Sequence, residues 1–110
     1  MPVMMKTESV GAAGVVPNIF AGSAFEFARK RSVVSVGVTQ AATGCFATLQ
    51  AGPDIIAEEF EPPIATIYPI IPDEMYFTDV MEPGDRLVLR IRNPTAGAII
   101  NRAVAQISEL

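Results

Sequence analysis

The sequence contains no histidine and no tryptophan, and it has one cysteine, Cys45. Without histidine, the Ser-His-Asp and Cys-His nucleophile systems are excluded. A single cysteine also excludes a disulfide scaffold and the usual cysteine and histidine ligand sets of structural zinc. Most enzyme classes therefore lack their usual residues in this chain, and we predict that the protein is not an enzyme and uses no cofactor.

Charged residues are scarce as well, at 18% of the chain, and aromatic residues make up 7%. By contrast, 50% of the 110 residues are apolar, and the net charge is -4. A chain of this length buries roughly 65% of its unfolded surface on folding, so one hydrophobic core is feasible without disulfides or metal. We therefore predict a single domain over residues 1–110.

Long hydrophobic runs are also missing. The first residues show neither a basic segment nor the long apolar segment of a secretion signal. The most apolar window, residues 11–28, is interrupted by Pro17 and Asn18 and contains Glu26. We therefore expect a soluble protein without a membrane-spanning helix.

Nine prolines and eight glycines are spread through the chain and leave few gaps that could hold a helix. Short runs rich in Val, Ile, Phe, Tyr and Thr lie between them, which is typical of strands separated by turns. Seven or eight such runs are present. They predict an all-β fold, a single-domain antiparallel β-sandwich or jelly-roll-like arrangement.

The clearest strand covers residues 86–92, where Leu87, Leu89 and Ile91 alternate with Arg86, Val88, Arg90 and Arg92. This period of two predicts that the three apolar side chains lie on one buried face. Residues 98–107 follow after one short turn, and we predict that they pair with the first run as a C-terminal hairpin.

Prolines and glycines also predict local backbone features. The Pro83-Gly84 pair within residues 82–85 predicts a type II turn, because glycine accepts the positive φ that this turn requires. Proline cannot donate to a central ladder, so the proline-rich stretch around residues 62–72 indicates an edge strand or an extended crossing.

Charge is segregated along the chain. Residues 54–85 carry nine carboxylates and no Lys or Arg, whereas the rest of the chain carries eight basic residues against three acidic ones. Such bipolarity would let the acidic segment of one copy meet the basic segment of another, which favours specificity and register. The alternative is that the two segments neutralise each other within one chain. The candidate subunit-interface residues are Arg86, Arg90, Arg92, Glu58, Glu59 and Glu61.

Other chemistry has little support in the sequence. The acidic pairs Glu58-Glu59 and Asp73-Glu74 lack the spacing of a calcium loop. Nucleic-acid binding is not expected, because the chain is acidic and no aromatics are interleaved with its arginines. Cys45 has no basic neighbour in sequence of the kind found beside reactive cysteines, and we expect it to be a small core residue.

Residues 82–93, with Pro-Gly-Asp before an alternating strand and Asn93 after it, resemble a stretch found in many small β-sandwiches, including cupredoxins. The copper site of cupredoxins needs two histidines, which this chain lacks. As a whole, the short, acidic, histidine-free and Ala/Gly/Val-rich chain resembles small virion proteins of tailed phages, such as capsid decoration, or cement, proteins and minor capsid proteins. That resemblance implies a β-sandwich or jelly roll that oligomerises on a capsid lattice, often as a trimer.

Two Ala/Gly-rich stretches, residues 11–16 and 40–44, cannot fill a wide core but make flat surfaces. We therefore interpret residues 1–24 as an extended arm that packs on a neighbouring subunit. The leading hypothesis is a non-enzymatic virion protein, made in the host cytoplasm, that assembles with itself and with a major capsid protein. The alternative is a receptor- or carbohydrate-binding module of a larger fibre or surface assembly, whose candidate aromatics are Tyr68, Tyr76 and Phe77.

Overall fold

The computed structural model describes residues 3–23, 26–69 and 77–109, which form eight strands and no helix. The prediction of an all-β single domain with seven to eight strands is confirmed. The strands are β1 (Val3–Val10), β2 (Val15–Val16), β3 (Ser32–Gln40), β4 (Phe46–Ala51), β5 (Asp54–Phe60), β6 (Phe77–Met81), β7 (Leu87–Arg92) and β8 (Ile99–Glu109).

The strands form two antiparallel sheets. Sheet I has the order β1-β8-β3-β6, and sheet II has the order β2-β7-β4-β5. Strands β1 and β8, β2 and β7, β3 and β6, and β4 and β5 pair as in one long hairpin, whose tip is the turn between β4 and β5. The hairpin is rolled up so that β3 also pairs with β8 and β4 with β7. This double-sheet arrangement is a jelly roll.

The core lies between the two sheets and follows the predicted alternation. Leu87, Leu89 and Ile91 of β7 are fully buried, and so are Val34, Val36 and Val38 of β3. Burying one such side chain contributes about 1.5–3 kcal/mol, so these two strands alone account for a large part of the hydrophobic stabilisation. The largest fully buried side chain is Phe20, from the loop between β2 and β3.

The predicted C-terminal hairpin is wrong. Strand β7 pairs with β2 and β4 in sheet II, whereas β8 pairs with β1 and β3 in sheet I. Alternation shows which side of each strand is buried but not which strand lies beside it, and here the connection after Arg92 crosses from one sheet to the other. The buried amide of Asn93 holds that crossing by donating to the carbonyl oxygens of Val10 and Gly97, at 3.0 and 2.8 Å.

In the described part of residues 1–24, the chain packs into both sheets of its own domain. Strand β1 pairs with β8 over its whole length, and β2 pairs with β7. The buried Asn18 then donates to the carbonyl oxygen of Leu87 at 3.0 Å and accepts from the backbone N–H of Leu89 at 3.1 Å. The segment therefore contributes one strand to each sheet, and the described part does not extend away from the domain as an arm.

Residues 61–69, here called the crossing segment, run over the outer side of sheet I. The segment makes one isolated parallel bridge, between Ile64 and Gln40 at the end of β3. It then accepts a hydrogen bond from the Thr39 hydroxyl at the Ile67 carbonyl oxygen, 2.9 Å, and reaches β1 through the Tyr68 and Thr7 hydroxyls. Of the two alternatives for this proline-rich stretch, the extended crossing is the one observed in its described part.

The predicted turn at residues 82–85 is confirmed. Gly84 has a φ of 88°, and the N–H of Asp85 donates to the carbonyl oxygen of Glu82 at 3.0 Å. The Asp85 carboxylate also accepts from the Glu82 N–H at 2.9 Å. This compact turn leads the chain from β6 in sheet I to β7 in sheet II.

Candidate interaction surfaces

The outer face of sheet II carries a charge cluster that depends on a β-bulge. The register between β4 and β5 shifts between Ala47 and Leu49, so that β5 has one more residue than β4 in this stretch. The extra residue brings Glu59 to a φ of 50°, which is unusual for a residue with a side chain, and its N–H donates to the Thr48 hydroxyl at 3.2 Å. The bulge thereby brings the Glu59 carboxylate to the arginines of β7.

Glu59 pairs with both arginines of β7. Its carboxylate oxygens lie 3.3 Å from Nη2 of Arg92 and 3.8 Å from Nη1 of Arg90. The Arg92 guanidinium also lies over the ring of Phe46, 5.1 Å from its centroid. Each of these charged side chains is about 40% exposed, so solvent screens the pairs and each contributes between 0 and about 1 kcal/mol.

Arg86 is engaged elsewhere. Its Nε lies 2.8 Å from the Glu26 carboxylate, which also accepts a hydrogen bond from the backbone N–H of Gly22 at 2.8 Å. Two hydrogen bonds lower the pKa of Glu26 from its ordinary value; the larger effect comes from the Gly22 N–H and the next from Arg86. Arg86 therefore fastens the loop that precedes β3 to the start of β7.

The six predicted interface residues are thus not brought together in one place. Arg90, Arg92 and Glu59 form one cluster within the chain, while Arg86 pairs with Glu26, which is not among the predicted interface residues. Glu58 and Glu61 are exposed and make no ion pair within the described residues. For Glu59, the alternative of neutralisation within one chain is what is observed, and pairing between subunits stays a prediction.

The outer face of sheet I is different, because it holds one ionisable side chain, Arg102, among its described residues. Its other residues are small, polar without charge, or apolar. The strand registers place them in rows, and the 3.1 Å hydrogen bond between the Ser35 and Thr78 hydroxyls joins two neighbouring strands across one row. The members other than Arg102 are Val3, Met5, Thr7, Ser9, Val33, Ser35, Gly37, Thr39, Thr78, Val80, Ile100, Val104, Gln106 and Ser108.

This face exposes apolar side chains on both of its outer strands. Met5 and Val3 of β1 are 52% and 41% exposed, and Val80 of β6 is 38% exposed. The face is not open throughout, because Gly37, Thr39 and Val104 are buried and the crossing segment bonds to Thr39 on this side. Charges are normally abundant on a protein surface, and their near absence over the open part of this face is typical of contact surfaces. This face could not be predicted from the sequence, because its residues come from four strands that are distant in the chain.

The other candidate features are accounted for inside the fold. Phe77 packs against Phe60 with ring centroids 4.8 Å apart, and the Tyr68 hydroxyl is bonded to Thr7; both residues are partly buried. Tyr76 lies outside the described residues. Cys45 is buried, as expected, and accepts from the Asn101 side chain at 3.5 Å.

No cluster of three or more potential metal ligands occurs within residues 3–23, 26–69 and 77–109. The same residues include no helix with the length and hydropathy needed to span a bilayer. Comparison of the chain with protein-family models, with curated proteins and with solved structures finds no match.

Proposed function

We propose that this protein is a non-enzymatic structural subunit of a virion that assembles with itself and decorates or completes a capsid shell. The observation that carries the proposal is a jelly roll whose one outer face is nearly free of charge and exposes Val3, Met5 and Val80. Jelly rolls occur in viral capsid proteins, lectins and cupins, so the fold alone does not choose among these classes.

The residue content favours the capsid class over the other two. Cupin metal sites use histidine ligands, and this chain has no histidine. A lectin site that stacks sugars uses exposed aromatics with convergent polar groups, and the two described candidates, Tyr68 and Phe77, are partly buried and contacted within the fold. The exposed aromatic Phe27, at 54%, lies in the loop before β3. Self-association needs only complementary surfaces, and the outer face of sheet I supplies one on which Arg102 is the one described charge that would have to be desolvated.

The experiment is a mass measurement by size-exclusion chromatography with light scattering, over a range of concentrations. We expect an oligomer of the 11.7 kDa chain. The variant Val80→Glu places a charge on the outer face of sheet I, and we expect it to shift the mass towards the monomer.

Ile55→Glu is the matched control, because Ile55 is an exposed apolar residue, 58% exposed, on a strand of sheet II. It should leave the mass unchanged. A wild-type chain that is a monomer at every concentration would contradict self-assembly. The virion placement is tested separately with an antibody against the purified chain, which should detect it in purified particles and not only in the soluble fraction.

A further inference from the structure

Strand β1 forms an open edge of sheet I, and its geometry points to a specific partner. β1 pairs with β8 on one side and has no partner strand on the other among the described residues. Its pairing with β8 runs from Val3 to Val10 without a register shift. An edge strand of this kind presents a row of unpaired backbone N–H and C=O groups that can take up another strand.

The three other edge strands lack one or more of these properties. β5 is interrupted by a bulge at Glu59 and followed by Pro62 and Pro63, which are features that block edge pairing. β6 has five residues and β2 has two. Within the described chain, β1 is therefore the long regular edge.

The two charged residues of β1 are Lys6 and Glu8, and they lie on the same side of the strand. Neither makes an ion pair within the described residues, although most other basic side chains of the chain do. Charges on an edge strand normally oppose the docking of a foreign strand, because such docking would leave them without a partner.

A second copy of β1 would satisfy both charges. If two β1 strands pair antiparallel about a two-fold axis at Thr7, Lys6 of each copy lies opposite Glu8 of the other. The same register places Met5 opposite Ser9 and Met4 opposite Val10. Opposite charges in directly paired positions are stabilising in antiparallel sheets, whereas like charges are destabilising.

The alternative registers on the same face are disfavoured. A shift of two residues in one direction places Lys6 opposite Lys6 of the second copy, and a shift in the other direction places Glu8 opposite Glu8. A shift of one residue would move the side chains to the opposite face of the sheet. The pattern therefore selects one register as well as one partner.

We propose that β1 is a self-recognition edge, through which two copies of this chain join their sheets I into one continuous eight-stranded sheet. The contact is isologous, so each copy contributes the same strand and the same two charges. This inference rests on the proposed self-assembly and names one of its interfaces.

Charge reversal tests the pairing. Lys6→Glu and Glu8→Lys each replace both attractive pairs by repulsive ones, so each single variant should raise the dimer Kd by about tenfold or more at low salt. The double variant Lys6→Glu/Glu8→Lys restores opposite charges in the same register and should return the Kd to within about threefold of wild type. A 1:1 mixture of the two single variants should form heterodimers, since one chain then carries two carboxylates and the other two ammonium groups.

A cysteine at the proposed axis provides a geometric test. In Thr7→Cys, the two new thiols face each other across a strand pair with Cα atoms about 4.5–5.5 Å apart, which a disulfide can bridge. Met5→Cys is the control, because it lies on the same face but its own copy is about 14 Å away along the strands. The native Cys45 is buried and should not contribute to oxidative cross-linking.

The outcomes separate this inference from the proposed function. Rescue by the double variant together with a cross-link at residue 7 but not at residue 5 supports the edge pairing. An oligomer whose mass responds to Val80→Glu but not to the charge variants overturns the edge pairing and leaves self-assembly in place. A wild-type chain that is always monomeric overturns both.

Discussion

The outer faces of the two sheets deal with charge in opposite ways. On sheet II, a bulge brings Glu59 to two arginines, and the charges are neutralised within the chain. On sheet I, the outer face holds one described ionisable group, Arg102. Both outer faces expose apolar side chains, such as Met5 on sheet I and Ile55 on sheet II, so the difference between them lies in charge. A face whose charges are already paired gains little from a partner, whereas an uncharged apolar face gains from being covered. The outer face of sheet I is therefore the side that the proposed assembly would bury at the lower cost in desolvated charge.

The largest expected effect tests whether the two sheets form one cooperative unit. Asn93 is fully buried at the crossing from β7 to β8, where it donates to the Val10 and Gly97 carbonyl oxygens and accepts from the Thr95 N–H. Asn93→Ala leaves these groups without partners and should lower the free energy of unfolding by about 3 kcal/mol. Urea unfolding followed by circular dichroism measures the loss.

A single transition is expected for this variant, because the connection joins sheet I to sheet II at that point. Thr95→Val is the control, since it removes one hydroxyl from the same network and keeps the amide; it should cost no more than about 1 kcal/mol. Two separate unfolding transitions in Asn93→Ala would contradict this expectation, because they would mean that sheet I and sheet II unfold independently.

A smaller loss of stability is expected on the outer face of sheet II, where the charges are paired within the chain. Glu59→Gln removes the carboxylate that Arg90 and Arg92 share, and we expect a loss of about 0.5–1 kcal/mol that decreases at high salt. The neighbouring Glu58→Gln should have almost no effect, because Glu58 is exposed and unpaired within the described residues. Neither change should alter the oligomeric mass, and dissociation by Glu59→Gln would instead place sheet II in an interface.

The smallest effect concerns pH. The pKa of Glu26 is lowered in the folded protein by the Gly22 N–H and by Arg86, so its contribution to stability is fully present above the ordinary pKa of a glutamate. The contribution is lost as the pH falls through the lowered pKa. The stability difference between wild type and Glu26→Gln should therefore shrink on acidification from about pH 6 to about pH 3. A difference that stays constant over that range would contradict the assigned role of the carboxylate.

The buried faces of the strands could be predicted because the pattern is local. Leu87, Leu89 and Ile91 alternate with Val88, Arg90 and Arg92, and the structure buries the first set completely. The partner of β7 could not be predicted, because pairing in a jelly roll joins strands that are far apart in sequence, and any alternating strand can serve as a neighbour.

The interaction surfaces were harder to predict for the same reason. The sequence identified Arg90, Arg92 and Glu59 as candidates for ion pairing. The bulge with a positive φ at Glu59 determines that these pairs form within one chain. Glycine or asparagine is the usual residue at a positive φ, so the glutamate at position 59 does not reveal this backbone conformation in the sequence. The uncharged face of sheet I becomes visible only when four strands are placed side by side.

The long-hairpin topology also has a consequence for how the protein is made. Strand β1 is synthesised before β8, its described partner, so Val3 cannot pair with Gln106 until the strands from β2 to β8 have been made. The hydrogen-bonding groups of β1 that face β8 therefore stay without that partner while those strands are synthesised. Folding that depends on pairing strands so far apart in sequence is slow, because the entropy of closing so large a loop must be overcome before any contact compensates for it.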